Sequence, residues 1–143
     1  MPVRQISVLS ENHLGVVQRL ASVLTDGGIN IRAVSVADAQ SLSILRLVVN
    51  DTDAALKILS SAGFTVTVNP VMVVGIDNRP GELLRVASLL AENELSIEYM
   101  YAFTVPSPRR VYLAVRVANV YAAEVVMEAA GVPLLDDDAL RDL

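Results

Sequence analysis

Apolar residues along the chain switch between a strand-like period of two and a helical period near 3.6, in the same order twice. Val3 to Leu9 has the apolar density and β-branching of a strand. Gly15 to Asp26 then carries Val17, Leu20, Ala21 and Leu24 at helical spacing, and Gly27-Gly28 stops it. Ile29 to Ala37 and Leu42 to Val49 predict two more strands around a turn near Asp38-Ala39-Gln40. Asn50-Asp51 is a capping pair for a second helix through Leu56, Ile58 and Leu59, ended by Gly63. Phe64 to Val68 predicts a short fourth strand.

The order then restarts. Val71 to Ile76 predicts a strand, and Gly81 to Glu92 a helix with Leu83, Val86, Ala87 and Leu90 at the earlier relative places. Leu95 to Thr104 and Arg110 to Val117 predict strands, Asn119 caps a helix ending at Gly131, and Val132 to Leu135 predicts a last short strand. Positions 12–31 and 78–97 share seven of twenty residues at an offset of 81 − 15 = 66, which grows to 131 − 63 = 68 at the later glycines. The two extra residues fall in the hairpin Val105 to Arg109, where insertions are tolerated. Asp136 to Leu143 has no counterpart and reads as a solvated end with one helical turn.

Each repeat is therefore βαββαβ, with units at residues 1–69 and 70–143. Two right-handed crossovers of that order make a four-stranded antiparallel sheet with both helices on one face, the ferredoxin-like arrangement. The second strand of such a unit is an unpaired edge. Pairing second strand to second strand, Asn30–Ala37 beside Ile97–Thr104, predicts an eight-stranded α+β sheet under four helices.

Composition narrows the function classes. A formal net charge of −5 argues against nucleic acid and anionic membrane, which need a basic footprint. The absence of cysteine excludes disulfides, thiolate metal sites and cysteine nucleophiles. No apolar run approaches the ~20 residues of a membrane span, and Met1 to Gln5 lacks the layout of a signal peptide, so the expectation is a soluble cytoplasmic protein. With 53% hydrophobic and 19% charged residues, the chain predicts surface buried in an assembly. Strands apolar on both faces, relieved only by Arg46 and Arg116, point to a homodimer that covers the helix-free face.

The candidate chemistry lies where each first strand turns into its helix: Ser10-Glu11-Asn12-His13-Leu14-Gly15 and Ile76-Asp77-Asn78-Arg79-Pro80-Gly81. A small anion placed there meets free backbone N–H groups and the positive end of a helix dipole. An Asn at such a turn is also an ordinary cap, but its duplication favours ligand contact. His13 has no second histidine for a metal and reads as a turn residue. Tyr99, Tyr101 and Phe103 alternate on one face and read as packing rather than base stacking, given the acidic charge. The Asp136-Asp137-Asp138 run reads as solvated tail rather than a cation site. Ser10 and Ser96 lack an activating base, so an enzyme is not expected and no cofactor is implied.

The run Asn78-Arg79-Pro80-Gly81-Glu82-Leu83 after an apolar strand, with Leu95-Ser96-Ile97 after the helix, resembles the ACT domain. The first half carries Asn12-His13-Leu14-Gly15-Val16-Val17 and Gly28-Ile29-Asn30-Ile31, so the resemblance covers the chain as two tandem copies. ACT domains are regulatory modules that bind a free amino acid between two copies. The resemblance implies one site pairing Asn12 to Val17 with Ser96 and Ile97, and another pairing Asn78 to Leu83 with Asn30 and Ile31. Ser10 and Asp77, at the mouths of the two loops, join these ligand-facing residues. Leu14 stands where the second loop has Pro80, and Ser96 where the first half has Asn30, so the two sites are unequal. The implied function is an amino-acid sensor acting in trans on an enzyme or transporter. The alternative is a partner subunit that keeps the fold without binding a ligand.

Overall fold

Val16, Leu20 and Leu24 form one stripe of a helix and bury against Ile6, Val8, Leu45, Leu47 and Val49 from two strands. The computed structural model describes residues 1–11, 14–105 and 109–143, for Ala39 the backbone only. Its elements are β1 (Val3–Glu11), α1 (Val16–Asp26), β2 (Ile31–Ala39), β3 (Leu42–Val49), α2 (Thr52–Ser61) and β4 (Thr65–Asp77). They continue with α3 (Glu82–Glu92), β5 (Ile97–Ala102), β6 (Arg110–Val117), α4 (Val120–Ala129), β7 (Leu134–Leu135) and α5 (Asp137–Arg141). The second unit repeats the packing of the first: Val86 and Leu90 of α3 meet Met72, Val74, Val115 and Val117, with Val120, Ala123 and Met127 of α4 beside them. Burying a Leu, Val or Met side chain contributes roughly 1.5–3 kcal/mol, so these stripes outweigh intrinsic helix propensity.

The described strands number seven, in the antiparallel order β2-β3-β1-β4-β6-β5 with β7 beside β4. This corrects the expectation of eight. Asn69-Pro70 reads as a break between two strands, yet β4 runs through it for 13 residues. Its first half pairs with β1 from Thr65 to Val71, and its second half pairs with β6 from Met72 to Asp77. Proline falls where one partner hands over to the next, a place where a missing ladder donor is tolerated. The Pro70 carbonyl accepts from Arg116 Nη1 at 2.7 Å.

Joining the units through β4 sends β2 and β5 to opposite ends of the sheet. The expected pairing of Asn30–Ala37 with Ile97–Thr104 shrinks to one bridge, Ala33 to Phe103, and a Thr104 N–H donated to the Arg32 carbonyl at 2.8 Å. Twist and curl bring the two ends together there.

Helices α1 to α4 share one face of the sheet, as alternation along β4 demonstrates: Val66, Met72 and Val74 face the helices, while Val71 and Val73 face away. The curl turns the helix-free face onto itself. Val3, Val48, Val71, Val73 and Ala114 are fully buried there with Phe103, and α5 closes that end with Leu140. The apolar half of the face is thus covered within the chain, which removes it as a reason for a second copy. The tail expected to be solvated is docked instead. Arg4 donates to Asp137 through its backbone N–H at 3.0 Å and its Nε at 2.7 Å, and Asp136 accepts from the Ala139 N–H at 2.9 Å.

Further along the same face the lining turns polar. Fully buried Gln5 accepts from the Tyr101 hydroxyl at 2.5 Å and donates to the Tyr99 oxygen at 2.7 Å, tying β1 to β5. The alternating Tyr99, Tyr101 and Phe103 therefore pack inward, and burial raises the Tyr101 phenol above its ordinary pKa. The expected hairpin insertion centres on Pro106 to Pro108, which lie outside the described residues. No described helix is long and apolar enough to cross a membrane.

Candidate ligand site at two helix starts

Helices α1 and α3 begin alike. Gly15 and Gly81 take left-handed φ values of +85° and +91°, and among the described residues no side chain caps either helix. A Cβ at either glycine would meet nothing within 4 Å, so backbone conformation alone demands glycine. The Gly15 carbonyl accepts from the Arg19 N–H at 2.9 Å, and the Gly81 carbonyl from the Arg85 N–H at 3.0 Å. The first N–H groups of a helix have no partner inside it, so each start offers donors and a positive dipole end to an anion.

Around these donors stand exposed apolar side chains: Leu14 is fully exposed, and Val17 and Leu83 are about half exposed. Val16, by contrast, turns into the core. Ser10 donates to the Glu11 carbonyl at 3.3 Å. Asn12 and His13 lie outside the described residues. In the second loop the Asn78 N–H bonds the Arg109 carbonyl at 3.1 Å, which holds the loop to β6. Arg79 pairs with Glu82 at 2.9 Å and approaches Asp77 at 3.6 Å, and these neighbours raise its pKa, Glu82 most. Pro80 is exposed beside them. The two starts are therefore unequal: α1 has no acid in its first turn, whereas α3 carries Glu82 under a guanidinium.

Among the described residues, three cavities at these positions each hold only one partner of an implied pairing of loop and strand. Leu14 to Val17 line a cavity of about 420 Å³ with Val36, Asp38 and Ser43 of their own unit. Ser96 and Ile97 line another of about 420 Å³ against Ala87 and Ala91 of α3. Asp77, Arg79 and Glu82 line a third of about 200 Å³ with Arg110 and Pro133. Asn30 is exposed, its N–H held by the Asn50 side chain at 2.9 Å, and its amide makes no hydrogen bond among the described residues. Ile31 does approach the second unit, since the Thr104 hydroxyl reaches its carbonyl at 3.5 Å. Among the described residues no group of histidines and carboxylates could hold a metal ion.

Sequence reasoning gave no role to Arg19 and Arg85, although both fall among the seven repeated residues. Each reaches from the first helix of its unit to the C-terminal carbonyl of the second: Arg19 donates to Ala62, and Arg85 to Ala130 at 2.6 Å. A cation there suits the negative end of the helix dipole and locks the helix that carries the candidate site. Arg19 also lies over the Phe64 ring at 4.4 Å.

Known structures repeat this architecture. A protein from Bacteroides thetaiotaomicron is 30% identical, with a TM-score of 0.91 over 100% of this chain and 98% of its own. The regulatory subunit of aspartate kinase from Thermus thermophilus is 17% identical, with a TM-score of 0.65 over 90% of this chain and 92% of its own. The corresponding subunit from Thermus flavus is also 17% identical, with a TM-score of 0.61 over 92% and 94%. These last two share the fold. No curated protein matches the sequence. The family model for the ACT domain pair matches residues 1–143, and the chain belongs to that family.

Proposed function

We propose that this protein is a regulatory module that binds a free α-amino acid at its two glycine-led helix starts and acts in trans on an enzyme or transporter, without catalysis of its own. The observation that carries the reading is the duplicated, uncapped start of α1 and α3, each shaped by a left-handed glycine. The helix N–H groups hold the carboxylate, and the amides of Asn12, Asn78 and Asn30 serve the ammonium through oxygen and the carboxylate through nitrogen. Membership of the ACT family and the likeness to regulatory subunits of aspartate kinase support a regulatory role. Ser96 and Ile97 complete the α1 site when a second copy brings its β5 to the exposed β2 edge. In this homodimer the reason for association moves from the helix-free face to exposed Leu14, Val17, Val34 and Val36.

A thermal-shift screen of the common amino acids tests the proposal. A ligand at a hundred times its Kd should stabilise the fold by about 2.7 kcal/mol. Ligand-free, folded protein whose midpoint moves with none of them would instead be a partner subunit that has kept the fold and lost the ligand.

A further inference from the structure

The curl of the sheet leaves a further cavity of about 400 Å³ on the polar half of the helix-free face, lined by none of the residues at the two helix starts. Both units build it. Ser7, Arg46, Thr67 and Asn69 come from the first unit, Tyr99 and Arg116 from the second. Its volume lies within the range of small-molecule pockets, about 300–1,000 Å³.

Arg46 is its most informative residue. The guanidinium lies 3.8 Å over the Tyr99 ring, half-buried, and no carboxylate among the described residues pairs with it. The ring beneath it is itself held, because the Tyr99 oxygen accepts from Gln5. Stacking fixes the plane of the guanidinium and leaves its N–H fork free at the edge, the geometry that matches a carboxylate. Arg116 is already engaged: its Nη1 donates to Pro70 and its Nε faces Glu98 at 3.6 Å. Two guanidiniums against one carboxylate leave the cavity with one net positive charge, in a protein of net charge −5. That balance suits one carboxylate better than a phosphate dianion. Glu98 faces Arg116, so no free carboxylate awaits an ammonium group. Leu9, Ile44 and the Tyr99 ring supply an apolar wall, while Thr65, Thr67 and Asn69 supply groups for one further polar atom of a ligand.

We propose that this concave cavity is a separate binding site for a small organic monocarboxylate lacking an ammonium group, held by Arg46 and bridging the two units. A ligand there touches both units at once and stiffens their mutual orientation.

Amide and side-chain NMR titration of the full chain with pyruvate, lactate, benzoate, alanine and inorganic phosphate tests the site. The expected result is saturable shifts at Arg46, Thr67 and Tyr99 with at least one of the first three, and weaker or no shifts there with alanine and phosphate. Arg46→Met keeps the stem over Tyr99 and removes the charge. It should weaken binding by about tenfold to a hundredfold, as expected for a lost charged hydrogen bond. Thr67→Val is a milder second variant, expected to weaken binding without disturbing the stack. Saturable shifts elsewhere only, stronger response to alanine or phosphate, or equal affinity in a folded Arg46→Met protein would each overturn the proposal. No shift with any carboxylate would overturn it too. Amino-acid binding at the helix starts should survive Arg46→Met, so the two sites fail separately.

Discussion

The four long helices start in two different ways. At α2, Asp51 takes an extended conformation and its carboxylate accepts from the Ala54 N–H at 3.1 Å. At α4, the Asn119 amide oxygen accepts from the Ala122 N–H at 3.1 Å. Helices α1 and α3, the first of each repeat, have left-handed glycines there and, among the described residues, no side-chain cap. A cap contributes about 0.5–2 kcal/mol, so both first helices forgo a stabilisation that both second helices have. Chance would not place the two kinds so regularly. On the proposed reading, the donors left free at α1 and α3 are those a ligand carboxylate would take. On that reading, the second helices of the fold serve stability and the first ones serve binding.

The widest separation of the two classes should come from ligand affinity. Asn12→Ala and Asn78→Ala each remove an amide expected to bond a charged ligand group, at a cost of roughly 1.5–3 kcal/mol of affinity with little change in folding. Calorimetry on both variants and the double mutant reads this directly. Lost stability at unchanged affinity would place these residues among the caps and dissolve the comparison.

Next in size, Gly15→Ala and Gly81→Ala should each lower stability by about 1–2 kcal/mol, the cost of forcing a Cβ into left-handed backbone. Space is not the problem, because a Cβ at either position meets nothing. The same variants should weaken amino-acid binding, since relaxing the strain re-aims the first-turn donors. Chemical denaturation and calorimetry on the same samples give both quantities.

Asp51→Ala and Asn119→Ala should cost about 1 kcal/mol of stability each and leave affinity unchanged. If either altered affinity as strongly as the glycine variants do, the division of labour between first and second helices would fail.

The capped helices were the more legible in the sequence. Asp51 and Asn119 announce their starts by residue type alone, and α1, α3 and β6 follow their apolar spacing almost to the residue. The repeat singled out the two candidate loops, because Asn, Gly and Arg recur in register. Three features escaped for physical reasons. Asn69-Pro70 carries a local turn signal that the two flanking ladders override, so one strand was read as two. The acidic run Asp136 to Asp138 disguised Leu140 and Leu143, whose one-turn spacing docks the tail in a core that only tertiary curl creates. Arg46 and Arg116 were visible as breaks in apolar alternation, but their shared cavity depends on the two ends of the sheet meeting, which no local pattern records.

The smallest expected effect tests the inequality of the two first helices. Glu82 sits in the first turn of α3, whereas α1 has no acid there. Its negative charge favours the helix dipole and opposes an incoming ligand carboxylate. Arg79 draws the carboxylate aside at 2.9 Å, which reduces both influences. Glu82→Gln should therefore lower stability by no more than about 0.3–1 kcal/mol, the range for a charge at a helix end. Affinity at the α3 site should rise slightly while the α1 site stays unchanged. The effect should also fade in high salt, which screens an exposed pair. Titrations of Glu82→Gln at low and high ionic strength, followed by the amides of Val17 and Leu83, separate the two sites. A gain at both sites, or one that ignores salt, would mean that Glu82 acts through the shape of the loop rather than through its charge.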